Sequence, residues 1–462
     1  MSVLSTISDV ARRGRNIVLD REIRVGVTGL SRGGKTALIT ALTAAFQRFG
    51  SEGAAEAFPL FREYGQHRIC YGGIASVRDR AVPPFPFRQA MDSLKASPPS
   101  WPSPTSDVSE IRLELRYHDD GWWPGGGGLR SLYVDIWDYP GEWLLDLMLL
   151  DMSYEDFSSR IAGRLDRVRP VADGSAWEQL GAGLDPLASL ESQERQMAAA
   201  VAAYTAWLKS CKEAGLAMVV PGRFILPGIH AGARLLQFVP WIWAPPASRP
   251  PSGSLYDEMR RNYDAYREKV VRRFYRECFS HIDRQIVVID CLNALMGGAE
   301  TYTDLNETFE ALLENFAYGG SSWWSRLFSP KIDRLIFAAS KCDRVTNDEH
   351  PHMLSLLKSM VSGAAARVRS GGIEPRYMTL SAISAARCRQ LPDGQLALFT
   401  DYPGERPFYP GTVPDSWSRG DMEFFRRGFK LRELRPPLLD LDDDLPHQRL
   451  DQLLSYLLGD KL

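Results

Sequence analysis

Ile23-Arg-Val-Gly-Val-Thr28 runs directly into Gly29-Leu-Ser-Arg-Gly-Gly34-Lys35-Thr36, and the fold turns on how that junction is read. The first stretch is rich in β-branched residues and predicts a buried strand. The residues after it place apolar side chains at Leu38, Leu42 and Phe46, at helical spacing. Strand, glycine loop and helix in that order give the context in which G-x-x-x-x-G-K-[ST] carries chemistry. The loop glycines let amide groups turn inward around phosphate oxygens, and the helix adds its positive N-terminal dipole. Gly29, Ser31, Arg32, Gly33, Gly34, Lys35, Thr36 and Ala37 are therefore candidate phosphate-binding residues. Lys35 would reach the outer phosphates and Thr36 would ligate Mg2+. Arg32 could contact phosphate, although a solvent-facing loop arginine is the plainer reading.

Such a loop needs an acidic residue at the end of a neighbouring buried strand, and a segment that senses the terminal phosphate. Leu132-Tyr-Val-Asp-Ile-Trp137 followed by Asp138-Tyr-Pro-Gly141-Glu142 supplies both. Asp138 is the candidate metal residue. The Gly141 amide and Glu142 join Lys35 as candidate catalytic groups, Glu142 standing where a water-orienting side chain would be expected. Asp401-Tyr-Pro-Gly-Glu405 repeats the five residues after another apolar run. Chain order favours the first copy, so the second is read as a coincidental turn. Thr105, in the polar loop before the strand at Ile111, is the candidate for a threonine that closes on the metal.

Further along, Ser340-Lys341-Cys342-Asp343 follows the apolar run Arg334 to Ala339, and Leu380-Ser381-Ala382 ends the next one. An aspartate there can accept two hydrogen bonds from guanine, whose ring N–H and amine adenine does not offer. Lys341 and Asp343 are candidate base-binding residues. Ser381 and Ala382 form a short loop that can present an amide to the base carbonyl.

Around these motifs Ile111 to Tyr117 and Leu132 to Trp137 predict an antiparallel hairpin with Gly125 to Gly128 at its tip. Gln285 to Asp290, Arg334 to Ala339 and Arg376 to Leu380 predict further strands. Residues 51–105 are rich in Gly and Pro and are expected to be mostly irregular. The order of elements gives an α/β fold with a mostly parallel sheet. It is divided as 1–150, first part of the core; 151–282, a helical insertion; 283–389, second part of the core; 390–462, a C-terminal appendage. In the insertion Tyr256, Met259, Tyr263, Tyr266, Val270 and Phe274 form an apolar stripe among seven basic residues, read as a buried stripe with a solvated face.

Composition excludes several classes. Asp plus Glu number 57 against 55 Lys plus Arg in 462 residues, for a net charge of −2, which argues against a nucleic-acid partner. Six scattered cysteines without a C-x-x-C pair argue against a disulfide framework or structural zinc. The first ten residues show no secretory pattern, and the apolar stretches at 144–150 and 216–229 are too short or too interrupted to span a bilayer. A cytoplasmic protein is expected. The 12 tryptophans, including the doublets Trp122-Trp123 and Trp323-Trp324, are read as core by default, and peripheral membrane contact stays open.

Taken with Asp138-Tyr-Pro-Gly141-Glu-Trp143, Ile289-Asp-Cys-Leu-Asn-Ala-Leu295, Ser340-Lys-Cys-Asp343 and the closing His447-Gln-Arg-Leu-Asp451, the chain resembles the bacterial YcjX-like family of P-loop GTP-binding proteins. The resemblance covers nearly the whole chain. It implies an α/β P-loop NTPase fold, a Ras-like GTPase core with helical and C-terminal additions, and a stress-linked role. The expected ligands are GTP or GDP with Mg2+, and the expected activity is slow hydrolysis that resets a switch acting on an unknown protein effector. A P-loop small-molecule kinase or ATPase, and a nucleotide-stabilised scaffold with negligible turnover, are the alternatives.

Overall fold

The computed structural model describes residues 21–462 apart from 30–32, 52, 67, 78–81, 120–127, 247, 314–331, 371, 417–424, 426–427 and 441–442. Ser31, Arg32, both tryptophan doublets and most of the glycine tip at 125–128 lie outside the described residues.

The apolar run at Ile23 is the centre of a seven-stranded sheet, β1 (Arg21–Gly29). The other strands are β2 (Ile69–Ala75), β3 (Ser109–Asp119), β4 (Gly128–Asp138), β5 (Arg284–Ile289), β6 (Arg334–Ser340) and β7 (Arg376–Leu380). They lie in the order β2-β3-β4-β1-β5-β6-β7. From β4 to β7 every neighbour is parallel, with Val25 beside Ile136 and Ile286 beside Ile336. The expected hairpin is the antiparallel pair β3 and β4, and β2 adds antiparallel at its edge.

Residues two apart on each strand share a face, and the parallel strands are apolar on both faces because both are covered. Ile23, Val25, Val27, Ile286, Val288 and Ile336 point into one core with helix α1 (Lys35–Arg48). Val287, Ile289, Leu335 and Phe337 point into the other. That second core is shared with α5 (Cys291–Met296), α6 (Ala299–Leu313), α7 (His350–Met360), α8 (Ser362–Ser370) and the residues of the insertion. The result is a three-layer α/β/α arrangement.

The insertion is helical. It follows α2 (Gly141–Leu145) and contains the long α3 (Leu190–Glu213) and α4 (Leu255–Tyr266). Its packing is aromatic: Trp177, Tyr204, Trp207 and Phe224 form a connected set, as do Phe238, Tyr263 and Phe157. The stripe Met259, Tyr263, Tyr266, Val270 and Phe274 is buried, and Tyr256 partly so. Several arginines beside it pair locally with acids, Arg260 and Arg261 with Asp257, Arg272 with Glu268 and Arg273 with Glu277.

Within the Gly- and Pro-rich stretch 51–105, strand β2 and a helix at Phe87–Lys95 lie among irregular chain. The strand escapes pattern reading because its burial does not alternate. Tyr71 and Ile74 are exposed, whereas the buried positions are Ile69, Gly72 and Gly73, two of them without a side chain to mark the inner face. Beyond residue 386 a second, two-stranded sheet forms from β8 (Arg387–Gln390) and β9 (Leu396–Phe399). The last helix, α9 (Leu450–Leu458), lies in the same core as α1. No helix among the described residues is long and apolar enough to cross a membrane.

Candidate functional site

In an open parallel sheet the carboxyl ends of the strands are where loops can converge on a ligand. At the end of β1, Gly34 takes φ +90°, a left-handed turn that suits glycine, and feeds α1. Lys35 opens that helix and is almost fully buried, its Nζ donating to the Gly29 carbonyl at 2.8 Å. Burial pushes its ammonium below the ordinary lysine value, opposed by the charges of Glu142 and Asp138. Thr36 and Ala37 follow in the first turn, half-buried, and Gly33 lies buried in front of them.

At the end of β4, Asp138 is 2% exposed. The Thr105 hydroxyl donates to its Oδ2 at 2.5 Å and lies 3.2 Å from the Thr36 hydroxyl. Thr36, Thr105 and Asp138, separated by up to 102 positions in the sequence (138 minus 36), thus form one chain of oxygens. Burial raises the Asp138 carboxyl to about 6, held down in part by Thr105 and Lys35. Its Oδ1 is a buried oxygen without a full hydrogen-bond partner among the described residues. Two hydroxyls and a carboxylate are the hard oxygen donors that Mg2+ takes, and a divalent charge would offset the burial of Asp138. The residues present fit that ion.

Gly141 passes so close to the phosphate loop that a Cβ would stand 2.1 Å from the Gly29 carbonyl oxygen and 3.1 Å from Lys35 Nζ. Glu142 follows, 7% exposed, with Oε1 at 2.7 Å from Lys212 Nζ of α3. Burial alone would raise its carboxyl, but the charge and hydrogen bond of Lys212, with Lys35 behind, hold it below the usual range. The rest of the segment is anchored in the insertion. Trp143 donates to the Leu226 carbonyl at 2.9 Å and lies under the Arg223 guanidinium. Asp146 accepts from Tyr266 at 2.5 Å and from the Gly222 amide at 2.7 Å.

At the far end of the same sheet edge, Lys341 adopts φ +59° and donates to Asp290 at 2.6 Å. The Ser340 hydroxyl reaches the Ile289 carbonyl at 3.3 Å, tying the β6 loop to the end of β5. Asp343 is buried. Its Oδ1 accepts from the Ser381 hydroxyl at 2.7 Å and its Oδ2 from the Ala385 amide at 2.8 Å. Burial raises its carboxyl and these two donors oppose the rise. Each carboxylate oxygen has a second lone pair, so both bonds orient the group without exhausting it. Ala382, half-buried, follows Ser381 in the loop.

Asp401 to Glu405 lies far along the chain at a turn after β9. There Glu405 bonds Thr400 and Arg435, and Tyr402 donates to the Pro436 carbonyl.

Sequence reading did not single out four residues that complete this edge. Asp290 carried a usable signal, an acid directly after an apolar strand, as at Asp138. Lys212 and Arg223 carried none, and Gln448 stood only within the closing motif 447–451, since their roles arise from contacts across the fold. Gln448 exchanges two backbone bonds with Ser381, at 2.8 and 3.1 Å, and so clamps the loop that orients Asp343.

A family model, the YcjX-like family, DUF463, matches residues 23–462. The chain belongs to the YcjX-like family. It is similar to the Ras-like GTPase YcjX of Escherichia coli, with 38% identity over 466 residues that cover 96% of this chain and 97% of that protein. It is also similar to the Ras-like GTPase YcjX of Shewanella oneidensis, with 34% identity over 465 residues that cover 96% and 95%. This YcjX-like chain has the α/β P-loop NTPase fold expected of it, a mostly parallel sheet with the phosphate-loop signature at its centre.

Proposed function

We propose that this chain binds guanine nucleotide with Mg2+ and hydrolyses GTP slowly, as a switch that acts on a protein effector. The observation that carries the reading is Asp343. It is a buried carboxylate oriented by Ser381 and Ala385, on the sheet edge that also holds Lys35 and the Thr36-Thr105-Asp138 chain. The names of the two relatives support it. In this reading Asp343 takes the ring N–H and amine of guanine, and the stem of Lys341 lies along the base. Lys35, Gly29, Ser31, Arg32, Gly33, Gly34 and the first amides of α1 at Thr36 and Ala37 hold the phosphates. Ser381 and Ala382 face the base carbonyl.

Mg2+ would be held by Thr36, Thr105 and Asp138 and would offset charge on the transferring phosphoryl group. Lys35 and the Gly141 amide stabilise the same charge, and Glu142 orients the attacking water. Release of the terminal phosphate frees Gly141 and the Thr105 loop, and that change of order is the signal. A stress-response role is part of the proposal by family alone.

The test is a titration of nucleotide-free protein with fluorescent GDP, GTP and ATP plus Mg2+, beside Asp343→Asn with xanthine nucleotides. Preference for guanine that moves to xanthine in the variant is expected. Equal or better ATP binding, indifferent to Asp343, would overturn the base reading and leave an ATPase or kinase.

A further inference from the structure

Glu142 raises a chemical difficulty. A buried carboxylate close to Lys35 would repel a terminal phosphate and would not hold its charge unaided. Its direct partner is Lys212 Nζ at 2.7 Å. Lys212 belongs to the last turn of α3, where the helix dipole favours a cation, and its side chain is 27% exposed. The helix is held in place for this. On its buried face Tyr204 packs against Trp177 and donates to the Val220 carbonyl at 3.0 Å. Beyond its end Asp304 of α6 accepts from the amides of Ala217 and Met218, at 2.5 and 3.0 Å. Lys212 and Glu142 also share the wall of one cleft of about 380 Å³ with Gly33 of the phosphate loop, Asp290, Lys341 and Arg344. The insertion thus reaches the nucleotide edge with a cation, paired with the buried carboxylate of Glu142 four residues after Asp138.

We propose that Lys212 is the positioning residue for Glu142: the helical insertion supplies in cis the charge that keeps Glu142 oriented beside the phosphate loop for the water-activating step. This rests on the proposed GTP hydrolysis. It makes the insertion a working part of the reaction centre, because whatever displaces the end of α3 releases Glu142.

The test compares the parental protein with Lys212→Met, Lys212→Arg, Glu142→Gln and the double variant Lys212→Met/Glu142→Gln, by Mg2+-GDP titration and GTP turnover. Lys212→Met is expected to lower kcat by about ten- to a hundredfold while KM for GTP and affinity for GDP stay within about twofold. Lys212→Arg should recover most of the rate. The double variant should be no slower than Glu142→Gln alone, as expected for residues acting through one another. An unchanged kcat in Lys212→Met, or a double variant slower by the product of the single effects, would overturn the proposal while guanine binding persisted. Failure of the parental protein to bind guanine nucleotide would instead overturn the reading beneath it. Thermal unfolding of the single variants keeps the two cases apart from misfolding. A lowered midpoint that Lys212→Arg restores without restoring kcat would assign Lys212 a structural role and overturn the proposal.

Discussion

A methyl group at position 141 has nowhere to go: the Gly29 carbonyl oxygen stands at 2.1 Å from where it would be, and that carbonyl is held by Lys35. Both neighbours are backbone or buried, so neither yields cheaply. Gly141→Ala is expected to destabilise the nucleotide-free protein by about 1–3 kcal/mol, read from the midpoint of urea unfolding. An unchanged midpoint would mean that the segment after Asp138 moves freely and that its contact with the phosphate loop is incidental. What was legible at this scale followed from chemistry that leaves a local trace. Lys35 lies in a motif, and Asp138 and Asp343 each follow an apolar strand. Thr105 had only its place in a loop to recommend it, and its contacts with Thr36 and Asp138 come from the loop's path rather than from its neighbours in sequence. Lys212 left no trace, because nothing near it says that Glu142 is opposite.

The element that joins sheet and insertion is the run from α2 through the 3-10 turn at Asp146–Asp151, buried almost throughout. Asp146 is its fixed point, fully enclosed and accepting from Tyr266 and the Gly222 amide. Burial raises its carboxyl to about 7, more than those two donors and Arg223 lower it. Between the ordinary carboxylate range and 7 the folded protein therefore holds a proton that the unfolded chain does not. The stability this gives is complete below pH 4 and is lost as pH rises through about 7. Asp146→Asn stays neutral throughout. The unfolding free energy of the parental protein relative to this variant should fall between about pH 4 and 7, on the order of 2–4 kcal/mol over the full titration. A difference independent of pH would show that Asp146 ionises normally and that its role is hydrogen bonding alone. At the same scale the parallel strands were readable because covered faces demand near-continuous apolar runs. β2 was not, because an edge strand with Tyr71 and Ile74 outward and two glycines inward shows no alternation.

For the molecule as a whole, the decisive fact is how the chain's last residues close the first core. Leu450, Leu453, Leu454, Leu457 and Leu458 of α9 are each at most 3% exposed and pack in the cluster of β1, β5, β6 and α1. Asp460 pairs with Arg284 of β5 and Arg334 of β6. Just before the helix, Gln448 exchanges backbone bonds with Ser381, and Arg449 bonds Thr379 on β7 and His350 on α7. From sequence this region reads as an appendage, since its composition is irregular until residue 449 and the leucines match any amphipathic helix. In the fold the helix covers one face of the sheet, and the residue-pair bridge at Gln448 just before it sets the loop that orients Asp343. Leu454→Ala should therefore cost about 2–5 kcal/mol and do so within one cooperative unfolding transition. Hydrogen exchange at the amides of β6 and β7 should accelerate in step with the loss, because those strands share the core that the leucine leaves. Two separate transitions, with β6 and β7 as protected as before, would mean that the terminal helix is an accessory layer. In that case the clamp on Ser381 would have to hold through Gln448 without the packing behind it.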